Sequence, residues 1–173
     1  MKFNVLSIIR DHFRTLYDAR SKSLSIIDIL IFYLLPVVLG LCAFSNGIKL
    51  NDNAYNVAII LFGIFVALLL NIQVAIFSVL HTKWHRPSDP KLTAKFDQDQ
   101  IDKNSILREL NTNLSYMILL CSFVLFIAAF AYIFDSFEYI ISAFLVFAFT
   151  HFVLSLLMVI KRAHALFQKE YTV

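Results

Sequence analysis

The sequence predicts an all-α integral membrane protein with four transmembrane helices, both termini in the cytoplasm, and an N-terminal amphipathic helix at the membrane surface. Three observations lead there. Of 173 residues, 60% are apolar and 16% charged, whereas a soluble domain runs nearer half and a quarter. Four apolar runs reach the roughly 20 residues that cross a hydrocarbon core of about 30 Å. The basic residues fall almost entirely on one side of those runs. Three glycines, three prolines and two cysteines, Cys42 and Cys121, both in apolar runs, leave no basis for a linker-rich chain, a disulfide framework or a zinc cluster. The composition excludes a soluble enzyme.

Residues 1–25 read as a cytoplasmic helix. Leu6, Ile9, Phe13, Leu16 and Tyr17 recur at spacings of three and four, with Asn4, Asp11, Arg14 and Asp18 on the other face. Such a helix ahead of a span lies in the headgroup plane or docks on a partner. Residues 26–80 form the first transmembrane hairpin. Its spans are Ile26 to Phe44, carrying Asp28 and Pro36, and Val57 to Leu80, carrying Asn71 and Gln73. The front segment is charged and no small-x-small cleavage site follows, so the first run reads as a signal anchor.

Residues 81–113 are a cytoplasmic connection. His81 to Leu92 contains Pro87 and Pro90 and predicts an irregular elbow. Lys95 to Asn113, with Leu107, Leu110 and Leu114 at helical spacing, extends the third span into the cytoplasm from a cap near Asp102 or Ser105. Residues 114–160 form the second hairpin, Leu114 to Phe134 and Tyr139 to Ile160, the latter with His151 near its centre. Residues 161–173 are a cytoplasmic tail. Backbone groups in lipid must satisfy one another, so all four runs are helices.

Orientation follows from Lys and Arg. Fourteen of the fifteen lie in the front segment, the central connection and the tail, and Lys49 alone lies opposite. The outer loops carry Asp52, Asp135 and Glu138. Tyr55, Tyr132 and Tyr139 fall at the outer boundary and Trp84 at the inner one, as an aromatic belt would. Both termini and the central connection therefore face the cytoplasm. No extramembrane piece is long enough to bury its own core.

Intramembrane polar residues are costly and face protein or water. At 1.5 Å per residue, Asn71, His151, Ser122 and Tyr33 all lie within about 4 Å of their spans' midpoints, on the cytoplasmic side. A four-helix bundle would gather them into one polar layer. That layer is either interhelical hydrogen-bond glue or a proton-sensitive gate built on His151. Gly63, Ala67, Asn71 and Ala75 form a small-residue ridge, and Ala148, His151 and Ser155 a comparable face. These faces point to a homo-oligomer, although internal packing would use the same ridges.

No catalytic constellation is present, and the expectation is a non-enzyme without cofactor. His81 and His85 have the spacing of a metal pair, but no Cys or Glu completes a site and Lys83 and Arg86 flank them. A net charge of +3, with bases that follow topology, points to no direct nucleic-acid binding.

Three stretches carry a family resemblance: Asp11-His-Phe-Arg-Thr-Leu-Tyr-Asp18, Phe65-Val-Ala-Leu-Leu-Leu-Asn71 and Ile106-Leu-Arg-Glu-Leu-Asn-Thr-Asn-Leu-Ser-Tyr116. In this layout the chain resembles small multi-pass membrane proteins of bacterial antiphage defence systems, namely the membrane subunit of Kiwa systems or the transmembrane effectors that accompany retrons. The resemblance implies an inner-membrane protein that works with a cytosolic partner during infection.

The expected function is a non-enzymatic membrane subunit, homo-oligomeric, whose cytoplasmic face docks a soluble protein and couples it to a membrane event. The residues expected to dock that partner are Ile101, Ile106, Leu107, Arg108, Glu109 and Leu110. One alternative is a toxin-like effector that permeabilises the membrane when triggered, and another is a small channel or transporter.

Overall fold

The computed structural model describes residues 5–15, 17–18, 23–24, 29–80, 90–134 and 137–171. Helix α1 is Val5–Thr15. A two-residue antiparallel pair follows, β1 (Tyr17–Asp18) with β2 (Ser23–Leu24), placing Tyr17 opposite Leu24 and Asp18 opposite Ser23. Helix α2 (Leu30–Ser45) opens with a π-helical turn, Leu30–Leu34, and continues as α-helix over Leu35–Ser45. Helices α3 (Asp52–Leu80), α4 (Pro90–Phe134) and α5 (Glu138–Tyr171) complete the chain. The fold is thus essentially all helical.

Three of these helices, α3, α4 and α5, are long and apolar enough to cross a membrane, and much of the outward surface is apolar. The chain therefore reads as a membrane protein. Among the described residues, the run predicted as the first span is helical over Leu30–Ser45. Sixteen helical residues rise about 24 Å, less than the roughly 30 Å of a hydrocarbon core, and residues 26–28, with which the predicted span begins, lie outside the described residues. The elbow differs as well: α4 already begins at Pro90, well before Asp102 or Ser105, while residues 81–89, with His81, Trp84 and His85, lie outside the described residues. A proline is well tolerated at a helix start because its missing N–H is unpaired there anyway.

The seams repeat every seven residues. On α4, Leu107, Leu110, Leu114, Met117, Cys121, Val124, Ala128 and Ala131 are buried in alternating steps of three and four. On α3 the buried positions are Tyr55, Phe62, Leu69 and Ile76, and on α5 Leu145, Ala148, Phe152, Ser155 and Val159. A repeat of 3.5 residues keeps one stripe facing its neighbour along the whole helix, the geometry of coiled-coil packing. Packing runs in the order α3–α4–α5–α2, with α1 on α4. Among the described residues α2 and α3 make no comparable contact, so they end an open layer instead of closing a four-helix bundle. The layer curls enough for Phe62 of α3 to meet the rings of Phe149 and Phe152 on α5 edge-on.

The connection between α2 and α3 is built by local chemistry. Gly47 adopts φ +62°, its N–H donates to the Phe44 carbonyl, and the Ile48 N–H donates to the Ala43 carbonyl, the paired bonds of a Schellman stop. Asn51 caps α3 by accepting the Ala54 N–H at Oδ1, 2.9 Å away. The Leu50 N–H then donates to Ser142 Oγ, Lys49 pairs with Glu138, and the Lys49 ammonium sits 5.2 Å over the Tyr139 ring. These contacts bind the loop to the start of α5. At Gly40 the backbones of α2 and α5 close up: a Cβ there would stand 3.1 Å from the Ala143 carbonyl oxygen and 3.1 Å from Phe147 Cβ.

Candidate buried polar site

Pro36 sets the site up. It has no N–H, so the Phe32 carbonyl four residues earlier loses its usual helical donor. Helix α2 widens into its π-helical turn at this point, and His151 of α5 supplies a donor: His151 Nδ1 lies 2.7 Å from Phe32 O. A carbonyl only accepts, so the proton is on Nδ1. In the neutral ring Nε2 is then an acceptor, and it takes the Tyr116 hydroxyl of α4 at 2.8 Å. One imidazole thereby joins α2, α4 and α5.

Tyr116 also carries α1. The His12 ring stacks on it, with centroids 3.8 Å apart and planes within 3°. His12 is 1% exposed, and its Nδ1–H donates to Asn113 Oδ1 at 2.8 Å. The Thr15 hydroxyl stands 2.8 Å from both Asn113 Oδ1 and the His12 carbonyl, and donates to one of them. Arg162 of α5 reaches the end of α1: its Nη2 donates to the Thr15 carbonyl at 2.6 Å, and its Nη1 lies 3.5 Å from Glu109 Oε2. A cation at a helix C-terminus meets unpaired carbonyls and the negative end of the dipole. Burial holds His12 down at about 4 from 6.5; Asn113 opposes the shift, and His151 and Arg162 add to it. His12 is therefore a neutral imidazole near pH 7.

Helix α1 has three faces. His12, Ile8 and Thr15 turn towards the protein, Leu6 (75% exposed) turns away with Phe13 (44%) at the margin between the two, and Arg10, Asp11 and Arg14 take the remaining side. Phe13 also stacks on Tyr33 of α2, with centroids 5.1 Å apart, and Tyr33 lies 5.0 Å from the His151 ring. Three buried atoms at this junction, Tyr33 Oη, Asn113 Nδ2 and Ser155 Oγ, have no hydrogen-bond partner among the described residues. Tyr116 opposite His151 and Glu109 opposite Arg162 fix the antiparallel register of α4 and α5, and that register sets Asn113 and Ser155 at about one level.

The predicted polar layer is divided. Tyr33 and His151 are together. Ser122 is exposed and donates to the Ile118 carbonyl of its own helix at 2.8 Å. Asn71 is exposed on α3, opposite the Tyr55–Phe62–Leu69–Ile76 stripe. Equal depth brings side chains together only in a closed bundle, and this layer is open. Of the expected packing residues, Ala148 and Ser155 are in the α5 seam, Gly63 sits beside Leu125, and Ala67 and Ala75 are exposed.

The expected docking set also divides. Ile101 and Arg108 are exposed and Ile106 half-buried, while Leu107 and Leu110 are buried in the core and Glu109 faces Arg162. The two leucines hold helices together and offer nothing to a partner. The sequence reading missed His12, Thr15, Asn113, Tyr116, Glu109 as an ion-pair partner, and Arg162. Pro36 was the available signal, since it announces an unpaired carbonyl at Phe32.

Among the described residues no group of three or more His, Cys, Asp or Glu could hold a metal ion. A separate apolar cleft of about 260 Å³ opens between α3 and α5, lined by Leu50, Val57, Phe62, Leu145 and Phe149 among others. No family model, curated protein or solved structure matches the chain.

Proposed function

We propose that this protein is a non-enzymatic inner-membrane subunit with four spans and cytoplasmic termini, which docks a soluble protein on its cytoplasmic helices and couples it to the membrane. The observation that carries this reading is the length of α4. Its 45 continuous residues rise about 68 Å, more than twice a hydrocarbon core. The buried stripe continues past the apolar part through Leu110 and Leu107, and α5 accompanies it with Ala163 and Leu166. A rigid two-helix stalk is a lever: what binds its end is mechanically connected to the membrane helices.

Helix α1 acts as the collar of that lever. It lies in the headgroup plane, with Leu6 and Phe13 in lipid, Arg10 and Arg14 in water, and His12 and Thr15 on the stalk's base. Ile101, 62% exposed, lies on the docking surface. The setting implied by the resemblance is antiphage defence. The test is purification in mild detergent from the native host, with mass measurement of the complex. A stoichiometric soluble partner lost in Ile101→Asp, with the fold intact, supports the reading. A protein that carries no partner under any condition, infection included, refutes it.

A further inference from the structure

Two amides lie on α3 inside the apolar span, and they are treated differently. Gln73 donates from Nε2 to Ser115 Oγ of α4 at 2.9 Å. Asn71 is exposed on the far side of the helix and has no hydrogen-bond partner among the described residues. It lies about 4 Å from the middle of the span and so roughly 11 Å from the nearer edge of the hydrocarbon. Two side-chain bonds cannot cover that distance to reach water. An amide left in hydrocarbon keeps two donors and an acceptor unmet, which is expensive.

From this position we infer that the outer face of α3 is the contact between two copies of this chain, with Asn71 hydrogen-bonded to Asn71 of the other copy. The inference rests on the homo-oligomer reading and gives it a place. An amide is self-complementary, offering N–H to C=O in both directions. Copies that share one membrane orientation meet about a two-fold axis along the membrane normal, where each residue on the axis faces its own counterpart. Ala67 and Ala75, one turn to either side and both exposed, let the backbones come close enough for short side chains to meet. Helix α3 ends the layer, and its outer side packs on no other described helix, so a second copy continues the layer without rearranging it.

The test uses cysteine cross-linking in native membranes, in a Cys42→Ser, Cys121→Ala background. Ala67→Cys and Ala75→Cys, which leave Asn71 in place, should form disulfide-linked dimers. Phe126→Cys, on the exposed side of α4 (67% exposed), should not. In a reversible association assay in lipid nanodiscs or dilute detergent, Asn71→Leu should weaken self-association roughly 5- to 30-fold. Asn71→Gln should retain part of it, and neither change should unfold the monomer, because the side chain packs against nothing. An oligomer that cross-links at Phe126→Cys and not at positions 67 and 75 overturns the interface and leaves the homo-oligomer standing. A monomer in membranes overturns both. Cross-linking at 67 and 75 to a different protein also overturns the inference.

Discussion

Acid should release α1 from the stalk, and His12 sets the pH at which it does so. The docked ring is neutral, with its pKa held at about 4, against 6.5 in a released helix. The released state therefore binds a proton more readily, and docking is at full strength above pH 6.5 and weakens as pH falls towards 4. The full difference corresponds to roughly 3 kcal/mol. At pH 5 a released His12 is almost fully protonated and a docked one mostly not, so the docking equilibrium shifts by roughly 30-fold, about 2 kcal/mol. Protonation at Nε2 also places a charge near the Arg162 guanidinium, which itself must stay to hold the Thr15 carbonyl.

The assay is amide hydrogen exchange over residues 5–15 in nanodiscs at pH 7.5 and pH 5, corrected for the intrinsic pH dependence of exchange. Protection should fall at pH 5 in the natural protein. His12→Phe keeps a ring on Tyr116 but cannot titrate, so its protection, whatever its level, should be the same at both pH values. Equal protection at the two pH values in the natural protein refutes the reasoning. So does a pH-dependent loss that persists in His12→Phe, because the response would then belong to another group.

Further outcomes are expected from the same contacts. Tyr116→Phe should lower stability by about 1–3 kcal/mol, because it strands His151 Nε2 without its donor; thermal unfolding in detergent measures it. Gly40→Val should loosen α2 from α5 and cost about 1–3 kcal/mol through overpacking. Gly63→Ala, whose Cβ would meet Leu125 Cδ1 at an ordinary 3.5 Å, should be tolerated, and paired melting curves separate the two cases. Leu110→Ala should cost about 2–5 kcal/mol as a buried core truncation, whereas Ile101→Ala should leave the melting temperature unchanged and act only on partner capture.

Much of the helical architecture was legible because lipid and helix geometry act locally. An apolar run of the length of Val57 to Leu80 must satisfy its own backbone bonds, so its helix follows from composition alone. Leu107, Leu110 and Leu114 announced that α4 would continue beyond the apolar segment, and Pro90 was misread as part of an elbow because proline suits both a turn and a first helical turn. Gly47 and Asn51 occupy the positions that a helix stop and a helix cap require, and both devices act within a few residues.

The polar site was not legible in the same way. Depth along the membrane is a property of position in the sequence, and Tyr33 and His151, expected at one level, stand with their rings 5.0 Å apart. The direction in which each side chain faces depends on which helices are neighbours, and only the tertiary structure decides that. Because the layer is open, Asn71 at the same depth faces outwards, Ser122 turns back to its own helix, and His12, from a segment more than a hundred residues away along the chain, stacks on Tyr116 and bonds to Asn113 instead. The sequence determined the helices because each is stabilised by contacts within itself; the structure determined the site because its bonds join α1, α2, α4 and α5, and no segment contains them.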